Sequence, residues 1–151
     1  MALTAGSMDG DDGSKRSLPG RLQLAMDGRV LICTATGPFD PEFINALPEQ
    51  TVDVLDQLAR TGKWAAIVKF QTSALTSLSA LTLLKRNIKS LVQSGRNPVA
   101  YALVMGPDVE GAYLMTALYL QCYVENGLPA KAFETVELAR AWIDAQLESK
   151  A

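Results

Sequence analysis

The sequence contains no histidine among its 151 residues. This absence excludes every site that depends on an imidazole: Ser-His-Asp and Cys-His nucleophiles, zinc held by histidine, and imidazole acid–base catalysis. Lysine, aspartate or tyrosine chemistry would still be available, but the sequence shows no catalytic constellation of these residues. We therefore expect a protein that is not an enzyme and that has no metal ion and no cofactor.

Cysteine is also scarce, and the charges nearly cancel. Cys33 and Cys122 both lie in apolar runs, so we expect free thiols in the core and a cytoplasmic location. The chain has 14 basic and 16 acidic residues, a net charge of −2. This balance provides no electrostatic attraction to nucleic acid or to an acidic membrane surface.

Long apolar runs are missing as well: none reaches the ~18 residues that a membrane-spanning helix needs. A hydrophobic content of 48% and a mean hydropathy of +0.11 instead fit one folded domain. Residues 1–20 are rich in Gly, Ser and Asp and have no apolar period, which predicts a disordered tail. Met8 would suit a native start behind an added leader. We expect the domain to span residues 21–149.

Hydrophobic periodicity predicts a single α/β domain with the order β-β-α-β-α-β-α-β-α. Leu22–Met26 and Arg29–Thr36 form a predicted hairpin across Asp27-Gly28. The second of these strands is apolar on both faces, so we expect it to be central in the sheet. The later strands are predicted at Trp64–Phe70, Pro98–Met105 and Lys131–Glu134. Because a helix follows each of them, the sheet should be mixed and mostly parallel.

The helices show clear start and stop signals. Asp40-Pro41 is typical of a helix N-terminus, and Pro48 is expected to interrupt that short helix before a longer one at Glu49–Arg60. The second helix should begin near Ser77, and the third should run from Val109 to Asn126. Six residues form the predicted buried stripe of the second helix: Leu78, Leu81, Leu84, Ile88, Leu91 and Val92.

Two segments resemble a known family. Ala132–Leu147, AFETVELARAWIDAQL, contains a short strand ending in Phe, a Thr cap and a helix with an Ala-Trp pair. Gly28–Phe39, GRVLICTATGPF, contains a hairpin and a strand that ends in Gly. With the element order, these segments resemble the STAS domains of anti-sigma-factor antagonists, and more closely the broader SpoIIAA-like group. The resemblance implies a SpoIIAA/STAS-like fold and a non-enzymatic regulatory or protein-interaction domain.

The resemblance also indicates a candidate modification site. In the antagonists, an Asp-Ser-Ser-Gly-type motif follows the third strand, and a partner kinase phosphorylates one of its serines. The matching stretch here is Ser77-Leu78-Ser79-Ala80, so Ser79 corresponds to the phosphoacceptor. The chain departs from the motif at Ser77 and Ala80, and Lys69 replaces the acid expected at the end of the strand. Ser79 or Ser77 is thus either a regulatory or contact site, or only part of a helix cap.

The third helix is the second candidate site. From Gly111 to Leu120 it has no charged residue, and its large apolar side chains are spread around the helix. Such a helix is either buried on more than one side, or it exposes an apolar patch for a partner. We expect an interface with a second subunit or another protein, or an apolar pocket, formed by Tyr113, Leu114, Leu118 and Tyr119.

Two functions from different classes stay open. The first is protein–protein contact through the turn at Ser73–Ser79 together with the third helix. The alternative follows from CRAL-TRIO-like lipid-transfer domains, which are related in fold and imply a small apolar-ligand or lipid-binding domain. In that case four residues would edge a cavity: Tyr113, Met115, Tyr119 and Trp142. Lipid retained by the purified protein would distinguish the two.

Overall fold

The computed structural model describes residues 2–4 and 20–149. These residues form one sheet of six strands with four helices. The elements are β1 Ala2–Thr4, β2 Arg21–Asp27, β3 Val30–Thr36, α1 Pro41–Thr61, β4 Ala65–Gln71, α2 Leu78–Ser94, β5 Tyr101–Val104, α3 Ala112–Val124, β6 Ala130–Phe133 and α4 Val136–Ser149. From β2 onward, the predicted element order is confirmed.

The strands lie side by side in chain order. β1, β2 and β3 pair antiparallel, and β3 to β6 pair parallel, so the predicted mixed and mostly parallel sheet is confirmed. The hairpin loop consists of Gly28 and Arg29, because Asp27 pairs with Val30. Gly28 has a φ of 64°, a left-handed conformation that suits a two-residue hairpin loop. β3 lies inside the sheet, as its two apolar faces predict.

β1 lies within the segment predicted to be a disordered tail. Ala2–Thr4 pairs antiparallel with Gln23–Ala25 of β2, so the prediction of disorder does not hold for these three residues. The physical reason is that the outer edge of β2 presents backbone N–H and C=O groups that a further strand can pair with. Residues 1 and 5–19 of the tail, including Met8, lie outside the described residues.

The sheet has two differently covered faces. We call the side that packs against α1, α2 and α3 the three-helix face, and the side that packs against α4 the one-helix face. Successive strand residues alternate between them, as the pleat requires. The three-helix face includes Leu31, Ala35, Ala66, Phe70 and Leu103. The one-helix face includes Val30, Ala65, Ile67, Ala102 and Val104, which pack with Ala139, Ile143 and Leu147.

α1 continues through Pro48, so the predicted interruption was wrong. A proline inside a helix leaves the carbonyl four residues earlier without its usual N–H donor. Here that carbonyl belongs to Ile44, and the Asn87 side-chain amide of α2 donates to it at 2.9 Å. A hydrogen bond from a neighbouring helix therefore replaces the missing intrahelical one, and the helix remains unbroken.

Candidate functional site

The turn between β4 and α2 holds a strained backbone conformation. The Ser73 N–H donates to the Gln71 carbonyl at 2.7 Å and closes a three-residue turn centred on Thr72. Thr72 has a φ of 68°, which a β-branched residue rarely adopts. Such strain persists only where the surroundings hold the backbone in place. Glu110 does so by donating its N–H to Thr72 at 3.0 Å and accepting from Ala74 at 2.8 Å.

The loop after β3 holds the same turn from its other side. The Phe39 N–H donates to the Leu75 carbonyl at 3.0 Å, and the Thr76 hydroxyl donates to the Phe39 carbonyl at 2.8 Å. A side chain at Gly37 would overlap the carbonyl oxygen of Ser73, so only glycine fits there. The turn is thus fixed at the carboxyl edge of the parallel strands, where open α/β sheets commonly bind ligands.

The serines of this turn have separate roles. Ser73 is buried, and its hydroxyl accepts from the Leu75 N–H at 3.1 Å. Ser77 caps α2, because its hydroxyl accepts from the Ala80 N–H at 3.1 Å. Ser79 is exposed, and its hydroxyl lies 3.0 Å from that of Ser77. Capping therefore accounts for Ser77, whereas the role of Ser79 as a phosphoacceptor stays a prediction.

Leu78 is 76% exposed, so its predicted place in the buried stripe of α2 was wrong. The stripe that packs on the sheet includes Ala80, Leu84 and Ile88, which follow one another at a spacing of four residues. This register turns Leu78 away from the core. A large apolar side chain is consequently exposed beside the two serines.

α3 begins at Ala112, later than the predicted Val109. Glu110 cannot join the helix because its backbone pairs with the turn after β4, and Gly111 has a φ of 78°. Four residues of α3 are buried: Met115, Tyr119, Cys122 and Tyr123. On the opposite side lie Tyr113, Leu114, Ala117 and Val124, which we call the outer α3 surface. Tyr113 is 101% exposed, Leu114 66% and Val124 56%.

The structure divides the four predicted interface or pocket residues between different environments. Tyr113 and Leu114 belong to the outer α3 surface. Leu118 is half-buried against the core. Tyr119 is buried, and its hydroxyl donates to the Ala74 carbonyl at 2.8 Å. Tyr113 and Leu114 are thus accessible to a partner, whereas Tyr119 is not.

A cavity of about 310 Å³ lies between the three-helix face and the helices α1 and α2. Its floor consists of strand residues that face these helices: Leu31, Cys33, Ala35, Ala66, Val68, Phe70 and Tyr101. α1 and α2 form its walls through Ile44, Leu47, Thr51, Val52, Leu55, Leu84, Ile88 and Leu91. The side chains are mostly apolar, so the cavity is suited to apolar groups.

This cavity lies beneath α1 and α2, and most of the predicted cavity residues lie elsewhere. Of the four predicted edge residues, Tyr119 lines it. Met115 is buried in the core, Tyr113 is exposed, and the Trp142 ring packs on Phe133 at 5.7 Å between centroids on the one-helix face. These three residues therefore do not line this cavity.

Burial favours the neutral forms of the thiol and phenol groups around the cavity. Burial raises the pKa of the Cys33 thiol to about 12. Burial also raises the pKa values of Tyr101, Tyr119 and Tyr123 above the ordinary value of tyrosine. Arg96 is the one charged residue among those that line the cavity, and it pairs with Asp56 of α1 at 2.7 Å.

The sequence pattern of the helix-facing strand positions predicts only buried core, so it does not indicate where a cavity lies. The signal lay in three small floor residues, Cys33, Ala35 and Ala66, on neighbouring strands. Whether small side chains beneath two helices leave an empty space depends on how closely the helices pack on the sheet, which the sequence does not show. Metal binding has no comparable support, since the described residues contain no cluster of three His, Cys, Asp or Glu side chains suited to a metal ion.

Comparison with known proteins supports the fold. No protein-family model and no curated protein matches the chain. A solved structure that is similar comes from Shewanella loihica PV-4, an uncharacterised protein of the DUF3478 family with a SpoIIAA-like fold. The two chains are 17% identical with a TM-score of 0.51, and the match covers 86% of this chain and 98% of that one. Among the described residues, no helix is long and apolar enough to cross a membrane. The architecture, together with this match, shows that the chain has the SpoIIAA-like fold that the sequence resemblance implied.

Proposed function

We propose that the protein is a non-enzymatic interaction domain that binds another protein surface through the outer α3 surface and Leu78. The observation that carries the proposal is the exposure of Tyr113, Leu114 and Val124 on one side of a single helix. Contiguous exposed apolar side chains commonly mark a protein–protein interface. Tyrosine suits such a surface because its ring is apolar and its hydroxyl tolerates water.

The surroundings favour a rigid contact surface. Gly111, at the start of α3, packs close to the Leu75 side chain, and Glu110 hydrogen-bonds the strained turn. These contacts fix the start of α3 relative to the turn before α2. A surface that is ordered before binding loses little conformational entropy when the partner arrives.

A second copy of the chain is the partner that this surface suits. Residues 111–124 carry no charge, so two α3 helices can pack around a two-fold axis without placing like charges opposite each other. A different protein with an apolar face would use the same residues. We test the homodimer first, because light scattering on the purified protein measures it directly.

Light scattering at high micromolar concentration tests the proposal. We expect the wild-type chain to dimerise and Leu114→Lys to weaken dimerisation about tenfold or more, since a charge would be buried in the interface. Leu138→Lys is the matched control, because Leu138 is 57% exposed on α4, away from this surface. A monomeric wild type, or equal dimerisation of the two variants, would contradict the dimer.

Ser79 is the regulatory position in this proposal. A phosphate there would add a charge of about −1.5 to −2 next to the exposed Leu78. Removing that charge from water on forming an apolar contact costs free energy, so phosphorylation would weaken the contact. Ser79→Asp should lower the association constant of the dimer, whereas Ser79→Ala should leave this constant unchanged.

A further inference from the structure

The cavity beneath α1 and α2 is larger than an ordinary packing defect. Protein interiors are close-packed and contain few voids larger than a water molecule. A cavity of about 150 Å³ is enough to bind benzene, so by simple scaling one twice that size holds about a dozen carbon atoms. The cavity beneath α1 and α2 has a volume of about 310 Å³, twice that of the benzene-binding cavity. It also falls at the lower end of the range for small-molecule pockets.

Residues in the middle of the sheet show that this space is accessible. Cys33, Val68 and Tyr101 lie in β3, β4 and β5 and face the helices, yet each keeps part of its surface accessible. Ile67 and Ala102, the neighbours of Val68 and Tyr101 on the opposite face, are completely buried, whereas Ile32, next to Cys33, is half-buried. Since all of these strands are interior to the sheet, the exposed surface of the first three residues faces the cavity.

The cavity offers hydrogen-bond donors without a net charge. The Tyr119 hydroxyl is already bonded to Ala74, but the hydrogen bonds of the described residues include none from the hydroxyls of Tyr101 and Tyr123. The rings of these two tyrosines pack together at 4.4 Å between centroids. The Arg96 charge is compensated by Asp56, so no free positive charge awaits an anionic ligand.

We propose that this cavity binds an uncharged, largely apolar molecule of about a dozen carbon atoms, whose one polar group hydrogen-bonds to a tyrosine hydroxyl. The ligand class follows from the size of the cavity, its apolar lining and its neutral polar groups. The proposal does not depend on dimerisation, because none of the four residues of the outer α3 surface lines the cavity.

Two probes of equal chain length test whether the cavity prefers an uncharged ligand. They are 1-decanol, which is neutral, and decanoate, which is an anion. We expect 1-decanol to raise the melting temperature of the wild-type protein in a concentration-dependent way, because a ligand that binds the folded state stabilises it. Decanoate should bind at least tenfold more weakly, since its charge would be desolvated without a free cation. Calorimetric titration measures both affinities.

Substitutions at two neighbouring residues of β4 test whether 1-decanol binds in this cavity. Val68→Phe places a ring in the cavity and should abolish the 1-decanol shift while the protein stays folded. Ile67→Phe is the matched control: it overpacks the one-helix face and should lower the melting temperature while the 1-decanol shift remains. Leu55→Trp fills the cavity from α1. If Val68→Phe does not fold, Leu55→Trp serves as the second variant that should abolish the 1-decanol shift.

Three results would overturn the proposal. One is the absence of any 1-decanol binding to the wild type. Another is decanoate binding as tightly as 1-decanol, which would remove the neutral ligand class. The third is undiminished 1-decanol binding in a folded Val68→Phe or Leu55→Trp variant, which would place the bound molecule elsewhere.

Discussion

The two faces of the sheet are built from the same strands but packed in different ways. On the one-helix face, α4 alone packs on β4 and β5, and Ile67, Ala102 and Ile143 show no accessible surface. On the three-helix face, more helical surface is available, yet a cavity of about 310 Å³ remains. The amount of covering structure therefore does not determine how tightly a face is packed.

The difference arises from side-chain size and helix placement. The one-helix face joins alanines at Ala65 and Ala102 with alanine at Ala139, so α4 can approach the sheet closely. On the other face, the small residues Cys33 and Ala66 line the cavity that remains beneath two helices. Small residues allow close packing when a helix approaches, and they leave a cavity when it does not.

The largest expected contrast comes from truncating one helical residue on each face. Ile143→Ala should lower the free energy of unfolding by about 4 kcal/mol, because a fully buried side chain leaves a new cavity. Leu91→Ala, on the cavity wall, should cost only about 1–2 kcal/mol, since fewer contacts are lost beside an existing space. Chemical denaturation measures both values. Equal losses would remove the distinction between the faces.

The response to alkaline pH should also separate the two faces. The folded-state pKa of Cys33 is raised from 9.0 to about 12, so between these values the unfolded chain loses a proton that the folded chain keeps. The unfolded state then binds fewer protons, and the free energy of unfolding falls as pH rises, by on the order of 1 kcal/mol per pH unit.

Denaturation curves at pH 8, 9.5 and 10.5 measure this slope. Cys33→Ala should make this slope less steep. Tyr101→Phe should do the same at the highest of the three pH values, because burial raises the pKa of Tyr101 as well. Tyr113→Phe, at a fully exposed position, serves as the control and should leave the slope unchanged. Parallel slopes in wild type and Cys33→Ala would show that Cys33 is not responsible.

The smallest expected effect is a coupling of about 1 kcal/mol that involves the hydrogen bond between α2 and α1. Asn87→Ala should cost about 2 kcal/mol, because the Ile44 carbonyl loses its donor. In a Pro48→Ala background the same substitution should cost about 1 kcal/mol less, since residue 48 regains an N–H for that carbonyl. A double-mutant cycle measures the difference. Additive effects would show that Asn87 does not compensate for the proline.

Local sequence patterns predicted much of the fold. Capping residues located the start of α1 at Asp40 and of α2 at Ser77, where their side chains accept backbone N–H groups. The two apolar faces of β3 predicted its central position in the sheet, as observed. These features depend on residues close together in the chain, so the sequence contains the information needed to predict them.

The errors occurred where distant segments meet. Pro48 suggested a break in α1, but Asn87, far along the chain, supplies the missing hydrogen bond. The first residue of α3 could not be predicted, because Glu110 pairs with the turn after β4 and stays outside the helix. An apolar helix without charges likewise indicates no preferred side, so it could not reveal that Tyr119 is buried and Tyr113 exposed.

The sequence by itself therefore determined the order of strands and helices, most of their limits and the absence of histidine chemistry. Only the tertiary structure decided that Tyr113 and Leu114 are exposed, that Tyr119 is buried, and that a cavity remains beneath α1 and α2. The reason is physical. Periodicity and capping are local, whereas the volume left between a sheet and its helices depends on how side chains from distant segments fill it.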